Sequence, residues 1–194
     1  GFDNGNWTFQ LMKVINPDIA LGVDIIENTL TKAKKIIRPV RSDLNEPLPF
    51  KTASIGIIHA NQVIEHLVDV DQFVEEIWRV LRPGGYVIVS TENLSSWHNI
   101  FALFLGKQAF SQHISARVNI GNSTSLHYRE KLNSGWAHIK VFAYSGLYEL
   151  FEYYKFKDIQ ISGAGYYPFW GILSRWMSRL DPRHTAFITV KAFK

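Results

Sequence analysis

The stretch that decides the fold is residues 70–91, VDQFVEEIWRVLRPGGYVIVST. Its first twelve residues carry apolar side chains at helical spacing, which predicts an amphipathic helix over 70–81. The Pro-Gly-Gly sequence that follows predicts a turn over 82–85, and the apolar run 86–91 predicts a buried strand. The side chains expected to face inward from the helix are Phe73, Val74, Ile77 and Leu81.

The same alternation of strand and helix extends to both sides of this stretch. Short connections between alternating strands and helices are typical of a parallel sheet covered on both faces. The sequence therefore predicts an α/β, Rossmann-like, doubly wound and mostly parallel sheet with an antiparallel edge hairpin. The predicted strands are 19–25, 37–42, 54–60 and 86–91, the helices 6–15, 27–37, 70–81 and 145–154, and the hairpin strands 157–162 and 185–193.

Composition excludes several classes of protein. The 194 residues are 46% apolar and 20% charged, as in an ordinary globular chain. Cysteine is absent, which excludes disulfides, thiolate nucleophiles and cysteine-bound metals. The formal net charge of +4 is smaller than that of a dedicated nucleic-acid binder, and no apolar stretch is long enough to span a bilayer. We therefore expect a cytoplasmic protein.

A glycine turn and an acid have the spacing found in nucleotide-binding proteins. The opening GFDNG places Gly1 and Gly5 just before a helix, where main-chain amides can approach a ligand. Asp24 ends the next strand, 19 residues after Gly5. An acid about 20 residues beyond a glycine turn commonly binds a ribose diol. The alternative is a strand-end acid that is solvated or caps a turn.

Four motifs together resemble the class I S-adenosylmethionine-dependent methyltransferases. The chain is most similar to the small-molecule group that includes the ubiquinone and menaquinone biosynthesis enzymes. A nicotinamide dehydrogenase shares the glycine turn and the ribose acid, but it does not require the second and fourth motifs. The four are GVDI at 22–25, SDLNEPLPF at 42–50, NQVIEHL at 61–67 and VLRPGG at 80–85.

The resemblance implies an enzyme that binds S-adenosylmethionine and releases S-adenosylhomocysteine. It implies that Asp24 binds the ribose and that Asp43, with the Leu44 amide, holds adenine. It also implies one domain over 1–194, with a cofactor-binding half at 1–91, a substrate-facing lid insertion at 92–144, and a C-terminal helix with edge strands at 145–194. The implied cofactor residues are Gly1, Asp3, Gly5, Asp24, Ile25, Asp43, Leu44, Asn61 and Gln62.

The sequence departs from the family pattern in two places. Asp3 occupies the middle of the glycine turn, where the family usually has glycine. Its negative carboxylate would repel the carboxylate of the cofactor, which has the same charge. The family's first strand precedes this turn, and here we expect it to be lacking. Both departures support an alternative function, a degenerate methyltransferase fold that acts as a non-catalytic binding or assembly module.

Methyl transfer requires alignment of the acceptor, the methyl group and the sulfur, and demands no metal. A hydroxyl or amine acceptor benefits from a general base, and histidine is the usual one near neutral pH. The candidates for this base are His66 and His98, and we expect no metal site. The candidate substrate-facing residues of the lid are His127, Tyr128 and His138, with His113 as a further lid histidine. For each histidine the alternative is a surface or structural role.

The acceptor is expected to be a small molecule, with lipid-linked, quinone-like and sugar-like compounds all open, as is the methylated atom (oxygen, nitrogen or carbon). Basic residues are scattered, so we expect no nucleic-acid partner. Residues 169–180 combine Arg175 and Arg179 with apolar side chains. A helix packed on the sheet is favoured there over one lying on a membrane surface. A homodimer remains open.

Overall fold

The computed structural model describes residues 6–27, 37–132 and 137–194. It divides into two compact units, Gly1–Phe50 and Lys51–Lys194, which we call unit 1 and unit 2. The glycine turn at 1–5 and most of the predicted helix 27–37 lie outside the described residues. In the described ranges no helix combines the length and the apolar character needed to cross a membrane.

The described residues of unit 1 form one helix and two parallel strands. The helix α1 (Asn6–Ile15) has the bounds that its apolar periodicity predicts. The strands β1 (Leu21–Asp24) and β2 (Arg38–Arg41) pair in parallel, and Asp24 lies opposite Arg41. Both strands were predicted, with bounds a few residues wider.

Unit 2 is built on a four-stranded sheet with the order β3-β4-β6-β5. The first pair is parallel, and β6 is antiparallel to both of its neighbours, which confirms the predicted edge hairpin. The strands are β3 (Ile55–Asn61), β4 (Leu81–Glu92), β5 (Lys157–Ala164) and β6 (Phe187–Phe193), and the helices are α2 (Val70–Val80), α3 (Trp97–Phe104), α4 (Tyr144–Tyr153) and α5 (Gly171–Leu180).

The strand β4 begins earlier than predicted. Leu81 already pairs with Ile55, and the regular register resumes where Tyr86 faces Ile57. The extra residues of β4 form a bulge rather than the expected turn, with Gly84 at a φ of 76°. A Cβ at Gly85 would lie 2.7 Å from the Gly56 carbonyl oxygen, so this approach of the two strands requires glycine.

The helix α3 was not predicted, because its apolar residues surround the helix instead of forming one stripe. Phe101 and Phe104 are exposed, whereas Asn99 and Ala102 are buried. Periodicity marks a helix only when the buried and exposed faces differ in polarity. The segment was therefore assigned to an irregular lid.

The core of unit 2 lies between the sheet and its helices. The carboxylate of Asp69 caps α2 by accepting the Gln72 N–H at 2.9 Å, which fixes the start of this helix. The apolar face of α2 is buried, as its spacing predicts. The fully buried apolar residues include Val74, Ile77, Val80, Val87, Val89, Leu147, Phe151, Ile188 and Val190.

Replacing Ile77 by alanine tests this core. Ile77 has no exposed surface, so we expect a loss of about 2–5 kcal/mol in the free energy of unfolding, measured with urea. The matched control is Ile172→Ala, because Ile172 is 78% exposed. Its cost should stay within about 0.5 kcal/mol. Equal losses in the two variants would contradict the assigned core.

Candidate active site

The predicted site residues of unit 1 lie at the carboxyl ends of two neighbouring parallel strands. Asp24 is buried, and its Oδ1 accepts the Ile26 N–H at 2.9 Å. The Oδ1 atom of Asp43 accepts both the main-chain and the side-chain N–H of Asn45, each at 2.9 Å. Each carboxylate thus orders the turn that follows its strand. Ile25 is exposed and Leu44 half-buried, whereas Gly1, Asp3 and Gly5 lie outside the described residues.

In unit 2 the chain turns sharply where β3 ends. The Ser90 hydroxyl of β4 donates to Asn61 Oδ1 at 2.5 Å, and the Gln62 N–H donates to the Ser90 carbonyl at 3.0 Å. Gln62 has a φ of 52°, in the left-handed region that non-glycine residues rarely occupy. Such backbone geometry is concentrated at functional sites. The chain at Gln62 leads into a single 3-10 turn, Ile64–His66.

Two acids and three histidines meet beyond the ends of β3 and β4. The ring of His138 lies 5.0 Å from that of His66 and 4.7 Å from that of His113, between centroids. Its Nδ1 atom is 3.6 Å from Glu92 Oε2. We call Glu65, His66, Glu92, His113 and His138 the histidine cluster.

Main-chain hydrogen bonds hold residues 137–140 against the turn at 64–66. The carbonyl of Glu65 accepts the N–H groups of Ile139 and Lys140, at 2.8 and 3.1 Å. The Nδ1 atom of His66 lies 3.1 Å from the Ala137 carbonyl oxygen. These contacts fix the position of the lid segment next to His66.

A second set of contacts holds the same segment to residues 111–113. The Nδ1 atom of His138 lies 2.8 Å from the Ser111 carbonyl oxygen, and the His138 N–H donates to His113 Nδ1 at 3.1 Å. A carbonyl oxygen can only accept, so Nδ1 of both His66 and His138 carries a proton. In the neutral rings Nε2 then holds a lone pair.

Glu65 is the most deeply buried charged group of the cluster, with 1% of its surface exposed. Its Oε2 accepts the Thr91 hydroxyl at 3.0 Å, whereas its Oε1 is buried and has no hydrogen-bond partner among the described residues. Burial raises the pKa of both Glu65 and Glu92. Burial lowers the pKa of His113, and the nearby His138 lowers it further.

The other predicted histidines have different surroundings. His98 lies between the rings of Phe110 and Tyr167, at 5.4 and 5.1 Å, and burial lowers its pKa. His127 is exposed and pairs with Glu130 at 2.9 Å, and the Arg129 guanidinium lies 5.1 Å from the Tyr128 ring. The structure thus brings His66 and His138 together, and it places His98, His127 and Tyr128 elsewhere.

Two residues of this site were missed in the sequence. Glu65 was visible only as part of the NQVIEHL motif, and Thr91 only as the last residue of an apolar strand. An acid next to a histidine just after a buried strand is the signal that could have identified Glu65. Thr91 is recognised only when the pairing of β3 with β4 is known.

The helix α5 contacts β5, as expected, but not through its aromatic side chains. Ser174 and Ser178 are the buried residues of this helix, and the Ser174 hydroxyl accepts the Tyr166 N–H at 2.8 Å. The prediction that this helix packs on the sheet is confirmed, and the packing is made by its small side chains. The large apolar side chains of α5 and of the residue before it are exposed: Trp170, Ile172, Leu173, Trp176 and Leu180.

The start of α3 contacts the segment that precedes α5. The Trp97 indole N–H donates to the Tyr166 hydroxyl at 2.7 Å, and the His98 ring contacts Tyr167. Arg175 and Arg179 are exposed on α5, which contains no acidic residue. We call the exposed apolar residues of α5 and of the residue before it the apolar face: Trp170, Ile172, Leu173, Trp176 and Leu180.

A cleft of about 450 Å³ opens at the start of α4. It is separate from the histidine cluster. The Asn93 side-chain amide and the Ser95 hydroxyl donate to the Arg183 carbonyl beside it, both at 2.8 Å. The lining residues are Ser95, Ala143, Tyr144, Ser145, Tyr148, Glu149, Arg183 and His184.

Comparison with protein families identifies one match, a model described as a methyltransferase domain that covers residues 1–89. A probable S-adenosylmethionine-dependent methyltransferase of Mycolicibacterium smegmatis is 43% identical over 77 residues, which cover 38% of this chain and 29% of that protein. The demethylmenaquinone methyltransferase of Lactococcus lactis is 30% identical over 92 residues, 43% of this chain and 36% of that protein. These matches span about a third of the relatives' own length.

Solved structures share the fold over the whole chain. A methyltransferase dependent on S-adenosylmethionine, from Archaeoglobus fulgidus, has a TM-score of 0.64 at 14% identity, covering 100% of this chain and 83% of that one. Phosphoethanolamine N-methyltransferase 2 of Haemonchus contortus, in complex with S-adenosyl-L-methionine, has a TM-score of 0.63 at 16% identity, covering 100% and 47%. At such identities the likeness shows the fold alone, and it confirms the Rossmann-like fold class.

Replacing Thr91 by valine tests the burial of Glu65. Valine keeps the shape of threonine but removes the hydroxyl that donates to Glu65 Oε2. We expect the free energy of unfolding, measured with a metal chelator present, to fall by about 1–3 kcal/mol, because a buried carboxylate loses its hydrogen-bond donor. Thr52→Val, at an exposed position, is the control. An unchanged stability in Thr91→Val would argue against this hydrogen bond.

Proposed function

We propose that the chain is a class I S-adenosylmethionine-dependent methyltransferase, which its match over residues 1–89 supports, and that it transfers a methyl group from S-adenosylmethionine to a small molecule. The observation that carries the proposal is the placement of Asp24 and Asp43 after neighbouring parallel strands. Ligands of open α/β sheets bind beyond the carboxyl ends of such strands. S-adenosylhomocysteine would be the product.

We propose that Asp24 binds the ribose hydroxyls and that Asp43 and the Leu44 amide hold adenine. The two turns that these carboxylates order support this assignment, because each presents main-chain groups next to its acid. Ile25 would contact the adenosine. Asn61 and Gln62, after β3, would lie near the transferable methyl group, and the turn containing Gly1, Asp3 and Gly5 would receive the methionine part.

The alternative of a non-catalytic binding module is not favoured by the comparisons, in which the named relatives are methyltransferases. Asp3, one of the two departures that motivated it, lies outside the described residues. We keep the division into a cofactor-binding half (1–91), a lid (92–144) and a C-terminal part (145–194) as a prediction. The hydrogen bonds of residues 137–140 with Glu65 and His66 support a lid that packs on the turn at 64–66 of unit 2.

We propose His66 as the general base for the acceptor. Its protonated Nδ1 faces the Ala137 carbonyl, which leaves the lone pair of Nε2 free to accept a proton. His138 would contact the acceptor from the lid side. His98 is the second candidate, since burial lowers its pKa and keeps it neutral at physiological pH.

We infer that the acceptor is apolar, of the quinone-like or lipid-linked class, and that the protein reaches it at an anionic lipid surface. The apolar face combines exposed aromatic side chains with Arg175 and Arg179, the composition of helices that lie at membrane interfaces. Three demethylmenaquinone methyltransferases among the relatives support a quinone-like acceptor. A cytoplasmic location, the absence of a nucleic-acid partner and a homodimer stay predictions.

Titration calorimetry with S-adenosylhomocysteine tests the cofactor assignment. We expect micromolar binding to the protein and no binding of NAD. Asp24→Asn and Asp43→Asn should each weaken the affinity about 5- to 150-fold, because each removes charge-assisted hydrogen bonds worth about 1–3 kcal/mol. Asp18→Asn, an exposed acid of unit 1, is the control. Unchanged affinity in both site variants, or no binding to the folded protein, would refute the assignment.

Sedimentation with lipid vesicles tests the apolar face. We expect the protein to bind vesicles that contain anionic phospholipid and to bind neutral vesicles less. Trp170→Ala combined with Trp176→Ala should reduce the bound fraction several-fold, because both side chains are exposed on this face. Tyr153→Ala, an exposed aromatic residue of α4, should bind like the unmodified protein. Equal binding of all three proteins would contradict the membrane proposal.

A further inference from the structure

Three metal-ligating side chains converge within the histidine cluster. Glu65, His66 and His138 each offer one oxygen or nitrogen atom, and these atoms all lie within 4.8 Å of one another. The sequence predicted no metal site, since His138 is 72 residues from His66. We propose that these three residues bind one divalent transition-metal ion.

Both histidines are oriented and protonated as metal ligands usually are. A ligating histidine typically donates its other ring N–H to a main-chain carbonyl or a carboxylate, which fixes the tautomer and the direction of the lone pair. Here Nδ1 of His66 faces the Ala137 carbonyl, and Nδ1 of His138 faces the Ser111 carbonyl and, at 3.6 Å, Glu92. The lone pair of each Nε2 is therefore available to a cation.

Glu65 provides the second, independent observation. Its carboxyl group is almost completely buried, Thr91 donates to one oxygen, and the other oxygen lacks a hydrogen-bond partner among the described residues. Buried polar atoms are nearly always paired, so an unpartnered one on a residue that converges with two histidines requires an explanation. A bound cation supplies the missing partner and favours the ionised carboxylate.

The ligand set indicates which ions fit. Two imidazoles and one carboxylate suit Zn²⁺ and, with lower affinity, Co²⁺ or Mn²⁺. Ligands about 2.1 Å from a tetrahedral ion lie about 3.4 Å apart, so the three side chains close inward on binding. Three protein ligands leave one position open, as in catalytic zinc sites.

With the ion bound, the Nε2 lone pair of His66 is coordinated, so the ion would replace His66 as the group that activates the acceptor, and an oxygen of the acceptor would take the open position. A hydroxyl bound to the ion would release its proton to solvent more readily. Its oxygen would then bond to the methyl carbon as the carbon–sulfur bond of S-adenosylmethionine breaks, and the sulfur would leave in S-adenosylhomocysteine. This role of the open position rests on the proposed function, whereas metal binding itself does not.

Zinc titration of chelator-treated protein by calorimetry tests the site. We expect one ion per chain, and an affinity at least about tenfold weaker in each of Glu65→Gln, His66→Gln and His138→Gln. The control is His127→Gln, because His127 is exposed and pairs with Glu130 outside the cluster. Absence of zinc binding to the folded protein, or affinities in the cluster variants equal to that of the control, would overturn the proposal.

X-ray absorption of the zinc-loaded, unmodified protein keeps the proposal testable if a variant fails to fold. We expect two imidazole nitrogens and at least one oxygen in the coordination sphere, and a sphere without two imidazoles would overturn it. Titration of S-adenosylhomocysteine into the same protein separates the two proposals. If zinc binds but S-adenosylhomocysteine does not, only the proposed function is refuted. If S-adenosylhomocysteine binds but zinc does not, only the metal site is refuted.

Discussion

The burial of Glu65 is the constraint on which the candidate site depends. A carboxyl group removed from water must find hydrogen-bond partners or a counter-charge. The Thr91 hydroxyl of β4 supplies one partner, and the Glu65 carbonyl accepts the N–H groups of Ile139 and Lys140. A residue just after β3 therefore joins the neighbouring strand to a lid segment more than seventy residues away.

The sheet of unit 2 provides the rigid support for this contact. The strand β4 lies between β3 and β6, and the close approach of Gly85 to the Gly56 carbonyl sets its pairing with β3. The parallel direction of β3 and β4 puts the ends of both strands at one edge of the sheet. Site residues supported in this way keep their positions better than residues carried by loops alone.

The helix α5 buries small polar side chains and exposes its large apolar ones. Two serines attach α5 to the body of unit 2, so the large apolar side chains of this helix remain in contact with solvent. Exposed apolar patches beside basic residues are typical of proteins that dock on another surface. The Ser174 hydroxyl accepts the Tyr166 N–H, which a buried apolar residue would leave unpaired, and the Ser178 hydroxyl donates to the Ser174 carbonyl within the helix.

The sequence by itself determined the strands and helices whose apolar period is clear, the edge hairpin, and the positions of Asp24 and Asp43 after their strands. These features follow from local backbone geometry, which periodicity reports directly. Only the tertiary structure decided that His66 and His138 meet, that one oxygen of Glu65 lacks a hydrogen bond, and that α5 faces outward. Contacts between distant segments depend on the path of the chain through the irregular lid, and local periodicity carries no information about that path.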